Sequence, residues 1–351
     1  MSRRTLSSIV VCGLLAVLFA VAALVPVPYV TMSPGPTVNV LGEVQGKDIV
    51  AVSGHRTYPT DGELRLTTVS VTSPGKQIRL SQALRAWFDD TRAVYPRDAI
   101  YPPQQSVEDA KRESSVQMVS SQDTAVAAAL TELGYDLPRV VEVLNVTPDS
   151  PADGTLEVRD QIISVNGVKA DDAPQVSKAI QRTGVGEPAA FVVRRAGETR
   201  SLDVTAEASE DDPKRAVVGI TIGVGYEFPF DVSVRLAERI GGPSAGLVFA
   251  LAVYDELTPG ALTGGADIAG TGTITDTGRV GPIGGIQQKI VAAADAGATV
   301  FLVPPDNCES ALAADVSEEE IRLVKAPTLH SAIASLRAYA ADPDAELPKC
   351  G

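Results

Sequence analysis

Seventeen apolar or small residues in succession, Ile9 to Val25, limit what this chain can become. Arg3 and Arg4 precede the run, and no further charge follows until Glu43. A run of this length is at the short end for a helix that crosses a bilayer and long for the core of a signal peptide. We expect a membrane span over residues 9–29, with residues 1–8 held in the cytoplasm by the arginines. Pro26, Pro28 and Tyr29 mark its far edge. This describes a single-pass protein of the cell membrane with an extracytoplasmic body. Ala20-Val21-Ala22 resembles a cleavage site, so a cleaved signal and a secreted form are the competing expectation. Either way the working domains lie where there is no ATP supply.

The 351 residues leave room for two or three domains beyond that segment. Hydrophobic residues make up 44%, enough for a packed core. A net charge of −14 with only 5% aromatics argues against a nucleic-acid partner, which calls for a basic face and stacking rings. Cys12, Cys308 and Cys350 are too few and too scattered for a zinc site, and no HExxH or CxxC occurs. We therefore expect no metal and no cofactor. Cys308 and Cys350 are free to pair if the body is extracytoplasmic.

The expected class is α/β (α+β), in several parts. Residues 30–117 read as a strand-rich membrane-proximal region without a chemical motif. Within it Gly62 to Thr72 alternates like a half-buried strand, Ser81 to Asp89 fits a short helix, and "YPRDAIYPPQQS" is a Pro-rich connection. Ser120 and Asp123 form a capping box for a helix that carries Val126, Leu130 and Leu133 and ends at Gly134.

From Arg139 to about Glu207 the pattern is strand, turn, short helix, strand, the Asn166-Gly167 hairpin turn, helix, strand, turn, strand. Ser150-Pro151-Ala152, Gly154, Leu156, Asp160, Ile162 and Asn166-Gly167 resemble the signature of PDZ domains carried by bacterial proteases. The resemblance implies a PDZ domain over 118–208. Such domains bind a peptide as an added strand on an open sheet edge, and a packing or gating role is the alternative. Arg159 stands where the family has glycine. The only candidate for the loop that grips a peptide carboxylate is Gly134 to Pro138. "SEDDPKR", Ser209 to Arg215, reads as a charged linker to a last domain over 216–340, followed by a tail, 341–351.

In that domain "GGPSAGLVFALAV" places Ser244 ahead of a run that is apolar on all sides. Pro243 suits a first helical turn, so we expect Ser244 at the N-terminus of a buried helix. The backbone N–H groups of such a terminus suit a developing oxyanion. A serine capping a core helix has the same appearance. Further on, "VGPIGGIQQK" opens a helix over about Ile286 to Ala296, with Lys289 in its first turns beside Ile286, Ile290 and Ala293. A lysine buried among such groups loses stability as the cation, and its neutral amine is a competent base for a serine hydroxyl. A solvated lysine on an amphipathic helix is the plainer alternative.

"GPSAG" together with "TG…GxVxPIGGxxxK" resembles the proteolytic domain of Lon proteases over about Val217 to Arg337, "VFLVPPDN" included. The resemblance makes Ser244 the nucleophile, Lys289 its base and Thr271 the residue that assists the lysine. Backbone amides around Gly242 to Ser244 form the oxyanion hole. It also implies a homo-oligomer, a hexamer being the family's habit. The chain departs from the family in two respects. Gly241 stands where an acidic residue usually precedes Gly-Pro-Ser, and no GxxxxGK[ST] phosphate loop occurs. The layout as a whole resembles membrane-anchored bacterial Lon-like serine proteases with PDZ domains. It implies an ATP-independent endopeptidase acting on unfolded or loosely structured polypeptides. Two other classes fit part of the pattern: a membrane-tethered PDZ adaptor with an inactive Lon-type scaffold, and a Ser–Lys amidase. His55 and His330 are read as structural or surface residues.

Overall fold

The computed structural model describes residues 3–103, 105–236 and 240–351. Its first element is a helix, Arg3–Leu24. Ser7–Leu24 is long and apolar enough to cross a membrane, and none of that window is buried in the protein. The helix stops earlier than the expected limit of residue 29. Pro26 and Pro28 cannot continue a helix, and Pro26–Val27 is already a strand, paired with Ile78–Arg79.

A six-stranded sheet forms the main body. Its order is Arg322–Lys325, Val300–Val303, Asp267–Gly270, Glu63–Val71, Tyr29–Asn39, Ala93–Pro96. The first four strands are parallel and the last two are antiparallel additions. Val300–Val303 is buried throughout, as a parallel strand covered on both faces requires. Three of these strands come from residues 29–96, so the region expected to be a separate part completes the sheet of the C-terminal domain. The short helix there runs Leu80–Trp87.

Alternation along the strands divides the core. Ile268, Val300 and Leu302 pack with the helix Gly246–Leu257 on one face. Ala269, Phe301 and Val303 pack with the helix Ile286–Asp295 on the other. The two helices therefore cover opposite faces of one sheet.

Residues 139–226 fold around a second core centred on Phe191. The sheet order is Glu198–Thr205, Pro188–Arg195, Gln161–Val165, Arg139–Val146, Ile220–Tyr226. Asn166 and Gly167 both take positive φ, as the hairpin turn demands, and the Asn166 side chain accepts from Ala190 N–H at 2.8 Å. Ser209 to Arg215 is not a spacer: Glu207–Ala208 pairs with Ala216–Val217, so the charged stretch is the tip of a small hairpin. The strand Ile220–Tyr226, which lies within the expected last domain of 216–340, instead closes this sheet.

One helix joins the two bodies. It spans Val107–Glu132 and is capped by Ser106, whose side chain accepts from Asp109 N–H. The expected start at Ser120 is wrong. Ser120 and Asp123 lie inside a continuous helix, where a preceding helical turn already satisfies the backbone.

Candidate active site

The serine loop, Gly241 to Ala245, precedes the helix Gly246–Leu257 instead of forming its first turn. The Ser244 carbonyl is already committed. It accepts from Gly272 N–H at 2.9 Å and from the Thr271 hydroxyl at 3.0 Å, so no helical bond starts there. Pro243 accordingly sits in the turn and not at a first helical position. Gly242 takes φ +87°, a left-handed conformation that suits glycine. This tie fixes the serine loop to the segment that follows the strand Asp267–Gly270. The reacting groups thus gather at the C-terminal end of a parallel strand.

Lys289 comes from the other side of the sheet. Its helix begins after Gly285, whose φ of +70° turns the chain where a Cβ would lie 2.7 Å from Met32 Sδ. Asn307, just beyond the strand Val300–Val303, brackets Ile283. Its Oδ1 accepts from Ile283 N–H at 2.9 Å and its Nδ2 donates to the Ile283 carbonyl at 3.0 Å. Nothing local in the "VFLVPPDN" stretch marks Asn307 for this role, because its partner Ile283 lies 24 residues earlier.

The two elements bring Lys289 Nζ to 2.8 Å from Ser244 Oγ and 2.9 Å from Thr271 Oγ1. Lys289 is only 2% exposed, and among the described residues no carboxylate forms an ion pair with it. Burial therefore penalises the cation without a counterion to relieve it, and the lysine is lowered from 10.5 to about 7. At neutral pH a large fraction is a free amine whose lone pair can accept the Ser244 proton. Thr271, itself 1% exposed, ties lysine to loop, since its hydroxyl donates to the Ser244 carbonyl while its oxygen faces the amine. Ser244, Lys289 and Thr271 are thus brought into one hydrogen-bonded group.

The oxyanion donors differ between the two named residues. Among the described residues Ser244 N–H has no hydrogen-bond acceptor. Gly242 N–H is engaged: it donates to the Ser114 carbonyl at 3.2 Å. Gly242 is therefore not a free donor in this arrangement, and the reason lies in the long helix Val107–Glu132. That helix lies over the serine loop, with Ser114 above Gly242 and Ser121 Oγ donating to the Pro243 carbonyl at 3.1 Å. A Cβ at Gly241 would fall 1.9 Å from Ser114 Oγ and 3.1 Å from its Cβ, so any side chain there would oblige Ser114 to move. The residues Ser114 and Ser121 carried no sequence signal, because only tertiary contact gives them a role.

The same helix grips the second body. Arg159, where the resemblance led us to expect glycine, takes φ +74°, a backbone conformation that favours glycine. Its side chain crosses to the helix, donating to Gln122 Oε1 at 2.9 Å and lying 3.2 Å from Asp123 Oδ1. Glu142 joins this junction. Burial first, and then the nearby Asp123, raises its carboxyl well above the usual range. The loop Gly134 to Pro138 is not a carboxylate-gripping loop at an open edge. It feeds Arg139–Val146, which is paired on both sides. The edge strands of the sheet are Glu198–Thr205 and Ile220–Tyr226, the latter introduced by Gly219 at φ +80°. His55 stacks on Phe230 and His330 pairs with Glu132, so neither histidine serves Ser244.

Comparison with known proteins agrees with this division. Residues 237–331 match the Lon protease (S16) C-terminal proteolytic domain, and residues 106–206 match the PDZ domain. The chain thus carries a proteolytic domain of the Lon serine-protease type together with a PDZ domain. The Lon protease of Dictyoglomus thermophilum is 44% identical over 128 residues, covering 34% of this chain and 16% of that protein. Lon protease of Clostridioides difficile is 48% identical over 85 residues, covering 23% and 10%. Lon protease 1 of Thermus thermophilus is 35% identical over 109 residues, covering 30% and 13%. The matched part is therefore a small fraction of each relative's length. Among solved structures, the PDZ domain of an SdrC-like protein from Listeria monocytogenes aligns with a TM-score of 0.22 at 21% identity, over 24% of this chain and 86% of that one.

Proposed function

We propose that the protein is a serine endopeptidase in which Ser244 is the nucleophile and Lys289 its general base. The observation that carries this reading is the buried amine, 2.8 Å from the serine hydroxyl and without a counterion. Neutral Lys289 takes the Ser244 proton as Oγ attacks the scissile carbonyl. Ser244 N–H holds the oxyanion, joined by Gly242 N–H once Ser114 releases it. The lysine then returns its proton to the leaving amine, and water, activated in the same way, frees the acyl group. Thr271 keeps the amine aligned.

The substrates are unfolded or loosely structured polypeptides, and cleavage needs no nucleotide; the sequence contains no GxxxxGK[ST] loop. A peptide end adds along the open strand Ile220–Tyr226 of the PDZ body. The helix Val107–Glu132 gives this event a route to the serine loop, because one helix holds Ser114 and Asp123. We read the PDZ body as both a binding surface and a gate. The N-terminal helix anchors the chain in the cell membrane, and the body lies on the far side from the cytoplasm. The disulfide between Cys308 and Cys350 supports that side, since such bonds persist in oxidising compartments.

The test is hydrolysis of a casein-like unfolded protein by the full chain without nucleotide. Wild type should cleave it and Ser244→Ala should not, with circular dichroism unchanged. Equal turnover by the two proteins would end the proposal.

A further inference from the structure

Beside the exit of the N-terminal helix lies an apolar ledge that no described residue covers. The helix Leu80–Trp87 turns Ala83 and Ala86 inward. Leu84, Trp87 and Phe88, spaced i, i+3 and i+4, form a stripe on the other side and are 47%, 70% and 81% exposed. Large apolar side chains grouped in this way mark a contact surface. The ledge is held to the point where the N-terminal helix ends. Pro26–Val27 pairs with Ile78–Arg79, and Leu80 N–H donates to the Val25 carbonyl at 2.9 Å.

We propose that this stripe lies in the headgroup layer of the bilayer, as a second membrane contact beside the spanning helix. The proposal rests on the reading of Ser7–Leu24 as a membrane span. If that helix leaves the bilayer at Leu24, the backbone bonds at Val25 to Val27 keep Leu80 and its helix at the interface. Exposed tryptophan and phenylalanine are suited to that layer. The charge agrees. The chain as a whole carries −14, yet between Lys76 and Asp98 it has five basic residues against three acidic ones. Lys76, Arg85 and Arg92 line a cleft of about 370 Å³ with Thr72 and Gln82, where a lipid phosphate can be received.

Trp87 is the only tryptophan in the chain, so the intact protein carries its own probe. The full chain is reconstituted in phosphatidylglycerol–phosphatidylethanolamine vesicles, floated, and its emission recorded with aqueous iodide or with lipids brominated near the headgroup end of the acyl chain. The proposal expects blue-shifted emission, strong quenching by bromolipid and protection from iodide. Leu84→Asp should shift the emission back toward that of tryptophan in water while Ser244-dependent peptidase activity is unchanged. Emission like that of tryptophan in water, quenched by iodide in floated protein, overturns the ledge and leaves the anchor standing. Blue-shifted emission that bromolipid does not touch assigns the stripe to a second copy of the chain and also overturns it. Failure to float at all removes both the anchor and the ledge.

Discussion

Lys289 and Asp160 are two ionisable side chains shut away from water, one in each body of the protein. Asp160 is fully buried and meets Arg195 in a two-pronged pair, Nε to Oδ1 at 2.7 Å and Nη2 to Oδ2 at 2.6 Å. It also accepts Glu157 N–H at 2.9 Å. Among the described residues Lys289 meets two hydroxyls and no carboxylate. The difference separates structural burial from chemical burial. A buried charge with a matched partner fixes geometry, and removing one member strands the other. A buried base without a partner gives up its charge and becomes reactive.

The comparison predicts opposite outcomes for the two sites. The largest effect should come from Lys289→Met, which fills the same space without a base. Peptidase activity should fall by at least about a thousand-fold, as when a member of a catalytic unit is removed. Stability in urea should hold or rise, because an unpaired polar head leaves the core. Loss of folding in this variant would break the comparison by making the lysine structural. Asp160→Ala should do the reverse. It leaves the Arg195 guanidinium, 16% exposed, with only the exposed Glu157 carboxylate and the Thr155 carbonyl in place of its two-pronged pair, and should lower unfolding free energy by about 3 kcal/mol. Cleavage of a short peptide, per folded molecule, should be nearly unchanged.

The pH profile should show a smaller effect of definite sign. With Lys289 near 7, the active neutral amine grows with pH, so kcat/KM should rise about tenfold between pH 6 and pH 8 and then level. The linkage has the same direction. The unfolded lysine keeps its proton up to about 10.5 and the folded one releases it near 7, so the unfolded state binds more protons between those values. The cost of burying Lys289 therefore shrinks, and stability rises, as pH rises through that window.

The smallest effect belongs to the junction. Glu142 is raised by burial first and by Asp123 next, so the folded protein retains a proton that the unfolded chain releases above the ordinary carboxylate range. Its contribution to stability thus falls as pH rises. Glu142→Gln removes that penalty and should raise Tm by roughly 2 °C at pH 8, with no gain at pH 4. A gain at both pH values would mean that the side chain acts through packing alone.

The contrast also explains what could be read from the chain beforehand. Ser244, Lys289 and Thr271 belong to motifs whose spacing is set by local structure, a loop before a helix and the first turns of another. The Asn166-Gly167 turn was legible for the same reason. Long-range pairing was not. Nothing local indicates that Glu63–Val71 pairs with Asp267–Gly270, or that Ile220–Tyr226 turns back to pair with Arg139–Val146. The helix start at Ser106 was obscured by a second cap-like pair at Ser120 and Asp123. Gly242 looked like a free oxyanion donor because the residue that engages it, Ser114, lies far away in the sequence.

The central claim is that the amine of Lys289 is neutral near physiological pH because it is dry. The most direct measurement is a pH titration of the side-chain nitrogen by NMR in protein labelled with 15N-lysine, wild type beside Lys289→Met. The account predicts one lysine signal with a midpoint near 7, absent from the variant. Titration of every lysine signal near the ordinary value, with none missing from that range in wild type, would contradict it.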